Sequence, residues 1–273
     1  MKVSCLPCSI FAPIISDEIT LEQWVASAPE MNLDGVDFSM MFLKQHTSTY
    51  ISKVKAMLDK YATPVVMCTT YPDFTHPCKL QRERELEYFK NDIGVCAELG
   101  IKYIRVLAGQ NHPGIGRQEG INRAVEGIRK AADYADKNGI GILYENHSKP
   151  GAWDYCDFSF PLDIFDEVME GISDTSVRLN YDLGNTDAAG GDTVAYLKKY
   201  IDKIETIHVT DMAEHGKMSS VLIGTGQTRI TECFRALKDA GWDKWLCIEE
   251  TSGNGFEGIK QAVANTRKLW EEA

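Results

Sequence analysis

Three times in this chain a helical stretch ends on glycine and runs straight into a short apolar segment: ELG-IKYIRV at Gly100, KNG-IGILYE at Gly139 and DAG-WDKWLCIE at Gly241. Glycine accepts the left-handed conformation that closes a helix and leads into a strand. Recurrence of this junction marks a repeating βα unit, and such units give parallel strands buried on both faces. Eight short apolar runs fit that role: Val3–Pro7, Gly35–Phe38, Pro64–Thr69, Tyr103–Leu107, Gly141–Glu145, Val177–Asp182, Thr206–Val209 and Trp245–Glu250. Between them lie helical stripes, such as Leu86, Phe89, Ile93 and Cys96; Ile121, Val125, Ile128, Ala132 and Ala135; and Phe256, Ile259, Val263 and Trp270. Eight units close more naturally into a barrel than into an open sheet, and 273 residues suit one α/β barrel. No glycine-rich phosphate loop follows any strand, as a doubly wound alternative would favour. The expected fold is a (β/α)8 TIM barrel, with residues 1–273 forming one domain without a linker or low-complexity segment.

The apolar fraction, 44%, is ample for a large core, and no run approaches the ~20 apolar residues of a membrane span. The apolar VSCLPCSIFAPII near the N-terminus has only Lys2 ahead of it, no small-residue cleavage pattern, and Asp17 and Glu18 directly after it. It reads as the first strand and its loop, with a signal peptide as the alternative. The formal charge of 29 − 40 = −11, with no dense basic run, argues against a nucleic-acid partner. Eight cysteines spread through strand and helix segments fit reduced, buried thiols in a cytoplasm better than a disulfide framework. Cys5 and Cys8 have CxxC spacing, but residues three apart on a strand face opposite sides and would not pinch one metal.

In such a barrel the chemistry sits at the C-terminal ends of the strands. The last four expected strands each carry a metal-ligand type there: Glu145 in ILYENH, Asp182 in RLNYDLGN, His208 in TIHVTD, and Glu249 with Glu250 in WLCIEET. Residues two positions back point the same way, and these are Leu143, Asn180, Thr206 and Cys247, small or medium groups suited to a barrel interior. Taken singly, an acid at a strand end is more often a helix cap or a solvated charge. Four at equivalent ends of consecutive strands point to a shared cation, since carboxylates in a barrel mouth need compensation. Three carboxylates and one imidazole suit one divalent ion: Mn²⁺ first, with Mg²⁺, Co²⁺, Fe²⁺ or Zn²⁺ as alternatives.

These motifs, in this strand order along the whole chain, resemble the xylose isomerase-like barrel superfamily. This is the sugar phosphate isomerase/epimerase group, with ketose 3-epimerases, hydroxypyruvate isomerases and inosose dehydratases; the endonuclease IV family shares the fold. The resemblance implies that Glu145, Asp182, His208 and Glu249 bind one divalent metal. Glu249 is selected as the first carboxylate after the apolar run, and Glu250 is expected to face outward. It also implies that Glu145 and Glu249 form the acid/base pair that moves a proton next to a carbonyl, through a metal-stabilised enediolate. The strand-six motif here reads Asp182-Leu183-Gly184-Asn185, where the family usually has a histidine that touches substrate. The loop TDMAEHGKMSS offers His215 and Lys217 but not the usual arginine, and HSKPGAWD replaces the stretch with the epimerases' extra glutamate. Ketose 3-epimerisation is therefore expected to be slow or absent.

Further expected substrate contacts are Asp37, His112, His147, Asn185 and Lys217, with Asp211 orienting His208 from behind. For each, a plain loop or cap role is the competing reading. The aromatic loop of Trp153, Tyr155, Phe158 and Phe160 suits either a lid over a sugar ring or a subunit contact in a homo-oligomer, dimer or tetramer. The leading expectation is an isomerase or epimerase of a small carbohydrate. A lyase or dehydratase acting on a keto-sugar, keto-inositol or keto-glycoside is the alternative. With no arginine cluster or glycine-rich cradle, unphosphorylated substrates are favoured. Six histidines and the charge of −11 speak against a multi-zinc endonuclease.

Overall fold

The computed structural model describes residues 1–273. Eight parallel strands form the barrel: β1 Lys2–Leu6, β2 Val36–Ser39, β3 Val65–Thr69, β4 Tyr103–Val106, β5 Gly141–Glu145, β6 Arg178–Asp182, β7 Ile204–Val209 and β8 Trp245–Glu249. Hydrogen-bonded ladders run in sequence from β2 to β8, and β8 pairs in parallel with β1. The expected boundaries agree to within two residues, and β7 starts earliest relative to expectation, at Ile204 rather than Thr206.

The seam between β1 and β2 lacks a ladder and is closed by aspartates. Val3 N donates to Asp34 Oδ2 at 2.8 Å, Asp34 N donates to Val3 O at 2.8 Å, and Ser4 Oγ donates to Asp37 Oδ2 at 2.9 Å. Asp37 is fully buried, and burial raises its carboxyl to about 6. It is thus a structural residue of the barrel interior beneath the site, not a wall of the pocket as its place in β2 suggests.

The three junction glycines hold left-handed backbone, with φ of 78° at Gly100, 69° at Gly139 and 66° at Gly241. Asn32 (φ 57°) and Ala62 (φ 51°) do the same before β2 and β3, at greater steric strain for a residue with a Cβ. That is why only some of the junctions show a glycine. The stripes pack as their periodicity requires. Phe89, Ile93 and Cys96 of the helix Lys79–Leu99 are buried, as are Ile121, Ile128, Ala132 and Ala135 of Arg117–Lys137, and Ile259 and Val263 of Gly255–Glu272. No helix is long and apolar enough to cross a membrane.

Candidate metal centre

The register brings the strand ends together. Asp182 on β6 lies opposite His208 on β7, and His208 opposite Cys247 on β8, so Glu249 stands one inward step above. Ligand atoms of Glu145, Asp182, His208 and Glu249 all lie within 4.8 Å of one another. His208 Nδ1 faces the carboxylates: 3.1 Å to Glu145 Oε1, 3.5 Å to Glu249 Oε2 and 3.9 Å to Asp182 Oδ2. The side chains of Glu145, Asp182 and His208 are essentially inaccessible, while that of Glu249 keeps 15% exposure toward the cavity.

Supporting contacts fix this geometry. Asp182 caps the short helix Leu183–Ala188: its Oδ1 accepts from Asn185 N at 2.6 Å and from Thr210 Oγ1 at 2.7 Å. Asn146 clamps the Asp182 backbone from both sides, accepting from its N at 2.8 Å and donating to its O at 2.9 Å. Below, Thr206 Oγ1 donates to Asn180 Oδ1 at 2.7 Å, completing a polar interior layer.

The donor set fits a divalent cation. Asp182 Oδ2 and Glu145 Oε2 are buried without a hydrogen-bond partner, the latter with only a misaligned ion pair to Arg105, and buried carboxylate oxygens left without hydrogen bonds are costly. Titration behaviour reflects the same frustration. Burial and the charges of Glu249 and Glu145 push Asp182 well above the usual carboxylate range. Burial opposes charge on His208, yet the surrounding Glu145, Glu249 and Asp182 outweigh it and raise the imidazole to about 9. Glu145 is held far below its usual range because His208 and Arg105 outweigh its burial. Protons on His208 and Asp182 thus do, in the metal-free protein, what one cation would do for the whole cluster.

Above the cluster opens a cavity of about 550 Å³, the size of a small-molecule site. Its polar side includes Tyr71, Arg105, His147, Lys149, Asn185 and Glu249, and its apolar wall includes Phe11, Ile15, Met41, Met212 and Met218. Of the expected substrate contacts, His147 and Asn185 line it. Burial lowers His147 to about 4, leaving a neutral ring at neutral pH.

The other expected contacts lie elsewhere. Lys217 is exposed, paired with Glu214, and does not line the cavity that its neighbour Met218 lines. His112 is held outside the cavity lining by Asp73, with Nε2 2.6 Å from Oδ2. Asp211 does not orient His208: its carboxylate accepts from Gly224 N, Gly226 N and Thr228 N at 2.8–3.1 Å and so pins the following loop. Glu250 does face away from the cluster, but it is 2% exposed rather than solvated, and it accepts from Ser252 N at 2.7 Å. Nor do the aromatics of the loop after β5 form a lid. Trp153 is buried and donates to Tyr71 O at 3.3 Å, Phe158 packs onto Gly120, and Tyr155 leans on His112.

Three residues of the site escaped the sequence reading. Cys8 follows the end of β1 in a 3₁₀ turn, where strand alternation no longer applies, and its thiol donates to Glu249 Oε1 at 3.4 Å. Tyr71 stacks on Arg105, whose guanidinium carbon is 4.9 Å from the ring centre. Arg105 itself lies inside KYIRVLAG; a charged residue between Ile104 and Val106 in a buried strand was the available signal.

Residues 25–270 match the xylose isomerase-like TIM barrel family. The chain belongs to that family. It is 24% identical over 209 residues to a probable endonuclease 4 of Thermotoga maritima, covering 69% of this chain and 67% of the relative. To an inosose dehydratase of Bacillus thuringiensis it is 23% identical over 262 residues, 87% of this chain and 84% of that one. The crystal structure of E. coli 3-keto-D-glucoside 4-epimerase superposes with a TM-score of 0.79 at 16% identity, over 98% of this chain and 99% of the other. The IOLI protein, solved with a zinc atom, gives a TM-score of 0.78 at 18% identity, over 100% and 99%. Enzymes acting on small carbohydrate-like molecules are thus among the proteins this chain is similar to, alongside the probable endonuclease.

Proposed function

We propose that this protein is a divalent-metal-dependent isomerase or epimerase of an unphosphorylated keto-sugar or keto-glycoside. The observation that carries this reading is the cluster of Glu145, Asp182, His208 and Glu249 with ligand atoms within 4.8 Å, set at the floor of the cavity. Those four residues would hold one ion, Mn²⁺ being our first choice. When bound, the ion supplies Lewis-acid polarisation of the substrate carbonyl and offsets the charge that develops as the neighbouring proton leaves. Glu249, which lines the cavity beside Cys8 and Leu6, would take or return a proton on one side of the substrate carbon, and Glu145, behind it in the cluster, would serve the other side. Asn185 donates or accepts hydrogen bonds, and His147, neutral at pH 7, does the same without adding charge.

The cavity's apolar wall of Phe11, Ile15, Met41 and Met218 supports a ring-shaped or glycosidic substituent on the substrate. Dehydration of a keto-sugar or keto-inositol is the second reading, favoured by the alignment with inosose dehydratase over most of the chain. Both reactions begin with the same proton abstraction and differ in whether a group then departs. The protein, incubated with Mn²⁺ and a panel of keto-sugars, keto-inositols, keto-glycosides and their phosphates in deuterated water, separates them by NMR. Deuterium uptake next to the carbonyl without loss of a group supports isomerisation or epimerisation. A new unsaturated product moves the assignment to the lyase, and no exchange with any substrate removes both.

A further inference from the structure

Arg105 is the strongest charge in the cavity that the ligand cluster does not account for. Its side chain is 2% exposed, yet it lines the cavity. Nε stands 3.2 Å from Glu145 Oε2 as an ion pair, but is not aligned for a hydrogen bond to it, and Nη1 has no hydrogen-bond partner at all. The ring of Tyr71, 4.9 Å from the guanidinium carbon, fixes the plane of the fork. A guanidinium stays charged in proteins, and the Glu145 carboxylate beside it is its counter-charge. A buried guanidinium with open donors is costly unless something accepts from it, and no protein atom does so at Nη1.

We propose that Arg105 is a substrate-binding residue, whose free guanidinium donors hold a hydroxyl or carbonyl oxygen of a neutral polyhydroxy compound next to Glu145. The inference rests on reading the cavity as a carbohydrate site. It selects neutral ligands by charge count. Glu145, Asp182 and Glu249 supply three negative charges, and a divalent ion with Arg105 supplies three positive ones, so the cluster with its ion and Arg105 carries no surplus charge to attract an anion. Lys149 is the one further cation lining the cavity, and it is exposed.

The test uses Arg105→Lys, which keeps the charge beside Glu145 but lacks the planar fork. D-fructose, D-sorbitol, D-gluconate and D-fructose 6-phosphate serve as probes, with Kd measured by equilibrium dialysis on Mn²⁺-loaded protein. The wild type should bind the two neutral probes more tightly than the two anions. The variant should retain Mn²⁺ stoichiometry and melting temperature while its Kd for the neutral probes rises about 10- to 100-fold, as expected for losing hydrogen bonds from a charged donor. An unchanged Kd in the variant, or a preference of the wild type for the anions, overturns the proposal. If the variant does not fold, a crystal structure of the wild type with D-sorbitol decides: a ligand oxygen within hydrogen-bond reach of the Arg105 fork supports it, and a ligand bound elsewhere refutes it. Binding of neutral probes without proton exchange on any ketone would remove the isomerase reading and leave this one standing. Absence of saturable binding of either neutral probe to the wild type overturns it.

Discussion

Asp182→Asn should have opposite consequences with and without metal. In the metal-free protein the carboxyl is pushed strongly toward its neutral form by burial and by Glu249 and Glu145. An amide is nearly isosteric with a protonated carboxyl. Its carbonyl can keep both bonds that Oδ1 makes, to Asn185 N and Thr210 Oγ1, and asparagine caps a helix as well as aspartate does. The new NH2 replaces Oδ2, which has no partner, and faces carboxylates that accept from it. The metal-free variant should therefore match wild-type stability to within about 1 kcal/mol, or roughly 2–4 °C in Tm. With metal the picture reverses. At 100 times Kd, Mn²⁺ stabilises the wild type by about 2.7 kcal/mol, roughly 5–11 °C. If the amide weakens the site about 100-fold, the same Mn²⁺ concentration gives only about 0.4 kcal/mol, roughly 1 °C. Differential scanning calorimetry with EDTA and with Mn²⁺ reads all four conditions. A metal-free variant melting more than about 10 °C below wild type, or an undiminished Mn²⁺ shift, would refute the argument.

His208 is raised to about 9 from an ordinary value of 6.5 in the metal-free protein, so its stabilising contribution is complete below about 6.5 and is lost as pH rises through about 9. Metal ligands must be deprotonated, the imidazole neutral and the carboxyls anionic, so Mn²⁺ binding at pH 7.5 should release protons and tighten as pH rises; titration calorimetry in buffers of different ionisation enthalpy should show this, and buffer-independent heats would contradict it. Glu249→Gln should fold and lose about 10²–10⁴-fold in turnover, whereas Glu250→Gln, losing at most one bond to Ser9 or Ser252, should cost about 1 kcal/mol in stability with little effect on rate. The reverse pattern in steady-state assays would place the acid/base role on Glu250. Gly127→Ala would drive a Cβ to 2.4 Å from Phe74 Cγ, and urea denaturation should show a loss of about 1–3 kcal/mol; an unchanged midpoint would mean that Phe74 can move aside freely.

The barrel and the four-residue candidate metal site were legible in sequence for one reason: both depend on strand periodicity. Inward-facing positions recur every second residue, so Glu145, Asp182 and His208 could be placed together with an acid of the last strand, and the family resemblance chose Glu249 over Glu250. Legibility stops where the strands do. Loop paths after β1, β4, β5 and β7 depend on tertiary packing, so Cys8 turned out to touch Glu249, whereas His112, Lys217 and Asp211 turned out to serve their own loops. Arg105 and Asp37 show a different limit. Both point into the barrel from their strands, but only the closure of the ring decides that Arg105 reaches the cavity while Asp37 is spent on the β1–β2 seam.

The account stands most directly on whether these four side chains bind a metal. Protein purified, loaded with Mn²⁺ and freed of excess by gel filtration should carry close to one ion per chain by inductively coupled plasma mass spectrometry, with an anomalous diffraction peak among Glu145, Asp182, His208 and Glu249. His208→Ala should lose most of it. Wild-type protein that stays free of metal after loading, or an ion bound elsewhere while the cluster is empty, would contradict the account.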